Sequence, residues 1–215
     1  MYALNPSQSP LPGILQQMPV DGFHRRRRIG PYLLANARMD HFNDLLARLG
    51  RTQAPLDCDQ LVTAARQLLD ATDSNETPAC IVQRIRQVET VARMINDDEW
   101  QPEPAAVPVA SQLLEYLRSR EQLLPAWLPQ VGRLDDAIAI DTAWSLLGRE
   151  AESYRDYLRL RRQQALSRGC DEHALHFDRH DWLAARRIEA EWLARQRQVR
   201  DSSYAPASAA MFRVH

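Results

Sequence analysis

The chain has 215 residues, 45% of them hydrophobic and 26% charged, with a formal net charge of −1. That length holds one medium domain or two small ones, and the near-zero charge excludes a global electrostatic pull toward nucleic acid or anionic lipid. All 27 basic residues are arginine, and the three cysteines (Cys58, Cys80, Cys170) are too few for a disulfide framework, which predicts a reducing, cytoplasmic setting. No uninterrupted apolar run approaches the ~18 residues a membrane span requires.

Residues 1–30 are rich in proline, serine, glutamine and glycine and carry no apolar period, which predicts a disordered arm. The arm ends in Arg25, Arg26, Arg27 and Arg28. Ala35, Met39, Phe42, Leu46 and Leu49 then step by four and three, one stripe of an amphipathic helix, with Pro31 expected in its first turn and Gly50 at its end. Asp57 with Gln60 three residues on predicts a capping box for a second helix, whose buried face is Leu61, Ala65, Leu68 and Leu69. Thr77-Pro78 marks a third start, followed by Ile81, Ile85, Val88, Ala92 and Ile95. These three helices form an N-terminal segment, 31–98.

The stretch 99–108 carries three prolines and reads as a linker or strap. Beyond it, 109–200 holds a helix with Val109, Leu113, Leu114 and Leu117, a turn, and a long helix from Asp135 to about Ser167. That helix has Ile140, Trp144, Leu147, Ala151, Tyr154 and Leu158 on one face and Gly148 as a candidate kink. Arg155, Arg159, Arg161 and Arg162 read as its solvated face. A last helix, about Arg179–Arg200, is expected to turn Trp182, Ala185, Ile188, Trp192 and Val199 inward. Residues 201–215 read as a flexible tail. The prediction is an all-α protein of six to seven helices in an antiparallel, bundle-like arrangement with a disordered N-terminal arm and C-terminal tail.

The chain turns on Leu123–Asp141. Pro125 ends one helix, because proline lacks an N–H and biases its predecessor away from helical angles. Pro129 and Gly132 shape the reversal, Asp135 is placed to cap the next helix, and Asp136 favours its positive end. Trp127, Leu128 and Val131 are expected to fold inward. The run Tyr116 to Ile138, with its Leu-Leu-Pro, second proline, glycine and Leu-Asp-Asp, resembles the YkvA-type domain, a short bacterial helical domain of unknown function. The resemblance covers about residues 108–147 and implies a helical hairpin rather than an activity. Glu121-Gln122 stand where that family usually has an aspartate, so a short carboxylate is missing there.

Three constellations could carry chemistry. Cys170, His173, His176 and His180 crowd one short segment, and 173, 176 and 180 would share a helical face, so zinc or another transition metal is conceivable. Four ligands from one segment match no standard spacing, and a polar loop before the last helix is the plainer reading. Asp135 and Asp136, with Asp141 and Glu121, could share a proton or hold a metal, or serve as caps and ion pairs. Arg25–Arg28, flanked by Phe23 and Ile29, could dock on nucleic acid or an anionic membrane surface, or be a solvated charge run. No phosphate-binding glycine loop or nucleophile elbow is present. The sequence therefore points to a non-enzymatic interaction or regulatory protein, without a cofactor and with another protein as partner. A metal-binding protein or metal-dependent enzyme, and an adaptor using the arginine arm, are the alternatives.

Overall fold

The helical periods become six α-helices among the described residues of the computed structural model, which covers 9–18, 26–73, 76–172 and 174–203. They are α1 (Asn36–Arg48), α2 (Cys58–Ala71), α3 (Ala79–Asn96), α4 (Ala106–Arg118), α5 (Leu134–Arg168) and α6 (Arg179–Ser203). None is long and apolar enough to cross a membrane. Arg25, His173, most of the C-terminal tail and the first part of the arm lie outside the described residues. The chain divides into two compact units, Met1–Asp156 and Tyr157–His215, with the boundary inside α5.

In the first unit the core gathers Phe42 and Leu46 of α1, Leu61 of α2, Ile81 of α3, Leu113 of α4 and Ile138 and Leu147 of α5. The Asp57 capping box forms as expected: Asp57 Oδ1 accepts the Gln60 N–H at 2.7 Å, and Gln60 Oε1 accepts the Asp57 N–H at 3.0 Å. The start of α3 is different. Pro78 itself is the N-cap, and no side chain caps the helix there. Pro31 is not helical either; it lies in the turn of a short antiparallel hairpin, β1 (Arg28–Ile29) with β2 (Tyr32–Leu33). Gly30, at φ 54°, takes the left-handed conformation that this Gly-Pro turn uses, and α1 starts only at Asn36.

Buried polar groups tie the helices together. The Arg84 guanidinium of α3 donates to Asp141 of α5 at 2.8 Å and also to the carbonyls of Ser9 and Cys80. Of the proline-containing stretch 99–108, residues 99–105 are a strap within the first unit and 106–108 already belong to α4. The strap's fully buried Trp100 donates from Nε1 to Glu150 Oε1 at 3.1 Å, an oxygen that also accepts the Glu103 N–H. Nearby, the Tyr154 hydroxyl donates to Asp97 at 2.9 Å. α5 runs unbroken through Gly148.

In the second unit, Tyr157 stacks on Phe177 with ring centroids 5.8 Å apart and donates to its carbonyl. Arg161 is no idle surface charge, since it donates to the carbonyls of Glu172 and Leu175. The inward stripe expected on α6 is corrected: Ile188, Trp192 and Val199 are exposed, and Trp182 and Ala185 are half-buried. Periodicity records what a helix could bury, and burial needs a neighbour.

Part of the arm also behaves differently from the expectation of an arm with nothing to bury. Gly13–Gln16 form a 3-10 helix against α2, Leu15 is buried, and Leu11 and Ile14 pack on the same core. The Gln60 amide donates to the carbonyls of Ile14 and Gln17, and Arg51 donates to that of Leu15. Three apolar residues in one short turn give no helical period, so their burial left no periodic trace. Leu15→Ala is therefore expected to cost about 2–4 kcal/mol. In thermal melts that is a drop of about 5–15 °C, and an unchanged melting temperature would mean the contact adds nothing.

Candidate functional site

The α4–α5 joint is built from a chain reversal with little freedom. Gln130 has φ 63°, so the left-handed residue is a glutamine and not the glycine two places on. Gly132 is needed for space instead. A Cβ there would sit 2.8 Å from the carbonyl oxygens of both Leu128 and Pro125 and 3.0 Å from that of Ala126. Backbone atoms cannot swing aside as a flexible side chain can. Leu128 and Val131 are buried as expected, but Trp127 is 62% exposed and makes a T-shaped contact with Tyr32, with centroids 6.2 Å apart. Pro125 is half-buried and Pro129 exposed.

Asp135 is not a helix cap. It is fully buried in the first turn of α5, and its Oδ2 accepts the Tyr116 hydroxyl at 2.6 Å and the Leu124 N–H at 3.0 Å. The carboxylate thus bridges α4 to the far side of the turn. Its Oδ1 is buried with no hydrogen-bond partner among the described residues. Asp136, equally buried, accepts from Gln122 Nε2 at 3.0 Å and pairs with Arg133 at 2.9 Å. The Tyr116 hydroxyl in turn accepts the Leu123 N–H, and the Tyr32 hydroxyl donates to the Leu123 carbonyl at 2.9 Å. Asp141, the third acid of the set, is half-buried and pairs with Arg84; Glu121 is exposed.

Burial, and then the neighbouring Asp136 charge, push the Asp135 carboxyl up to about 6, against the pull of hydrogen bonding from Tyr116 and from the Leu124 and Asp136 backbone. Burial also raises Asp136, opposed by Arg133. Tyr116 is pushed up by burial and by Asp135, so it stays a hydroxyl donor. Tyr116 also forms part of a groove of about 490 Å³ between α1 and α4, where Arg38, His41 and Arg48 face Glu115 and Glu121.

The other two constellations come apart. Among the described members of the first, Cys170 is exposed and donates to the Ala165 carbonyl, and His176 and His180 are exposed. His180 does lie with Asp178 and Asp181, their ligand atoms within 4.8 Å of one another. Those two carboxylates already accept each other's backbone N–H at the start of α6, at 2.9 and 3.2 Å, an aspartate version of the capping box. In the arginine run, Arg26 is paired with Asp59 at 2.9 Å, Arg27 and Arg28 are exposed, and Ile29 is buried rather than free to insert. No protein-family model matches this chain, and no curated protein or solved structure matches it either.

Sequence reasoning missed Tyr116, Gln122 and Arg133 as partners of the acids. Tyr116 is 19 residues from Asp135, and no local spacing rule links two residues on opposite sides of a turn.

Two expectations follow for the joint. Asp135 holds a proton in the folded state at pH values where the unfolded chain has released it. The stability this contributes is complete below about pH 4 and is lost as pH rises through about 6. Thermal melts are expected to show a loss on the order of 2–3 kcal/mol across that window, relative to Asp135→Asn, which keeps an acceptor and cannot ionise. Parallel pH profiles for the two proteins would contradict the assignment. Separately, Gly132→Ala should destabilise by about 1–3 kcal/mol through overpacking. Gln130→Gly should be neutral or stabilising, by up to about 1 kcal/mol, because glycine is at ease in the left-handed conformation. Chemical denaturation of both variants checks the order.

Proposed function

We propose that the protein is a non-enzymatic helical interaction or regulatory module whose contact point is the Trp127 turn. The observation that carries this reading is Trp127 itself, 62% exposed at the tip of a turn held from beneath by buried hydrogen bonds. Tryptophan is the residue type most enriched where binding energy concentrates, and a turn already held in place loses little freedom when it docks. The burial of Asp135 and Asp136 supports a structural role for the acid pair, since a substrate cannot reach carboxylates 0% and 1% exposed. The YkvA-type resemblance of residues 108–147 belongs to the same proposal, supported by a helix, turn and helix in that stretch.

Full burial of Trp127 would make its truncation cost several kcal/mol. Exposed as it is, Trp127→Ala is expected to change stability by about 0.5 kcal/mol or less. The same variant should lose the partner in affinity capture from the native host with the full chain as bait. Equal capture by the two proteins at equal melting temperature would remove the turn from the binding surface.

A further inference from the structure

We propose that the β1–β2 hairpin and the α4–α5 turn together form a docking surface for an anionic lipid bilayer. The proposal rests on the Trp127 reading and gives its partner a chemistry. The two segments meet through Tyr32, whose hydroxyl donates to the Leu123 carbonyl and whose ring makes a T-shaped contact with Trp127. Neither 26–33 nor 123–133 contains an acidic residue, although the chain as a whole carries 28 acids against 27 arginines. Of the four arginines in these segments, Arg26 and Arg133 are neutralised by Asp59 and Asp136. Arg27 and Arg28 are exposed. Arg28 lies opposite Leu33 across the hairpin, and Leu33 is 55% exposed.

The surface therefore sets two exposed guanidinium groups beside two exposed apolar side chains, Leu33 and Trp127. The occupant it complements is negative outside and apolar within. An anionic bilayer has that layering: phosphates for guanidinium groups, and beneath them an interfacial zone where tryptophan settles with its N–H toward water. Single-stranded nucleic acid is a poorer fit, because sequence-tolerant binding uses several stacking aromatics along a groove, and in these two segments Trp127 is the one exposed aromatic.

The test uses the full chain and vesicles of phosphatidylcholine, with and without phosphatidylserine, in a sedimentation assay, with homopolymer RNA in a parallel arm. The intact protein should sediment with the anionic vesicles, weakly with the neutral ones, and less as salt is raised. Arg27→Gln with Arg28→Gln should weaken partitioning about tenfold or more, and Trp127→Ala or Leu33→Ser several-fold, each with an unchanged melting temperature. Equal binding to both vesicle types, no binding to either, or arginine-dependent binding to RNA alone overturns the lipid assignment. If vesicles are ignored while Trp127→Ala still loses a protein partner, the lipid proposal falls and the docking role of the turn stands. Vesicle binding that needs the arginines but not Trp127 or Leu33 overturns the proposed surface, and the docking role of Trp127 then stands or falls with the affinity capture.

Discussion

One oxygen of Asp135 holds the joint together. It accepts a hydroxyl from α4 and an amide from the start of the turn, so the first turn of α5 is fastened to two places that the chain reaches before the reversal. Removing that acceptor would strand the Leu124 N–H in the core, at a cost of about 1–3 kcal/mol for the orphaned donor alone. The network continues outward: Tyr116 also accepts from Leu123, Leu123 accepts from Tyr32, and Tyr32 belongs to the hairpin before α1. A helix cap would have used the same carboxylate on its own helix. Turned inward, it links three segments far apart in sequence.

This arrangement also decides which arginines are paired. Acids of the fold engage Arg84, Arg133 and Arg26, so their charges are spent on Asp141, Asp136 and Asp59. Arg27 and Arg28 keep theirs at the surface. A net charge of −1 therefore conceals a local imbalance. Composition averages over the chain, whereas a partner meets one face of it, and the field near a face follows the unpaired charges within about a Debye length.

Much of the fold was legible because helical periods and caps are local. The stripes of α1, α2 and α3 and the Asp57 capping box needed no knowledge of neighbours. What the sequence hid was long-range or sterically specific. Trp127 is expected inside because it is large and apolar, but the turn buries Leu128 and Val131 and leaves Trp127 exposed. Gly132 was read as the flexible residue, while the left-handed conformation fell on Gln130 and the glycine answered to crowding. Leu15 was missed because a single 3-10 turn has no period. Ile188 and Trp192 were misplaced because a periodic stripe says nothing about whether a partner helix is there to cover it. The acid pair was found as residues but not as a site, since its donors lie across the reversal.

The joint gathers several locally unfavourable choices within seven residues. Gln130 occupies a conformation glycine would take more cheaply, Gly132 gives up a side chain to let three carbonyls close in, and Asp135 carries a charge that burial opposes. The Gln130 and Asp135 choices could each be relieved by a single substitution without changing the hydrophobic pattern. Sequences tend to agree with their folds at every level, and departures concentrate where something other than stability is being served. Here they converge on one turn, and the side chain that turn displays is an exposed tryptophan. An ordinary helical hairpin would not need this turn to bury a core of leucine and alanine. The strain makes sense if the position of Trp127, more than the connection between α4 and α5, is what the joint holds in place.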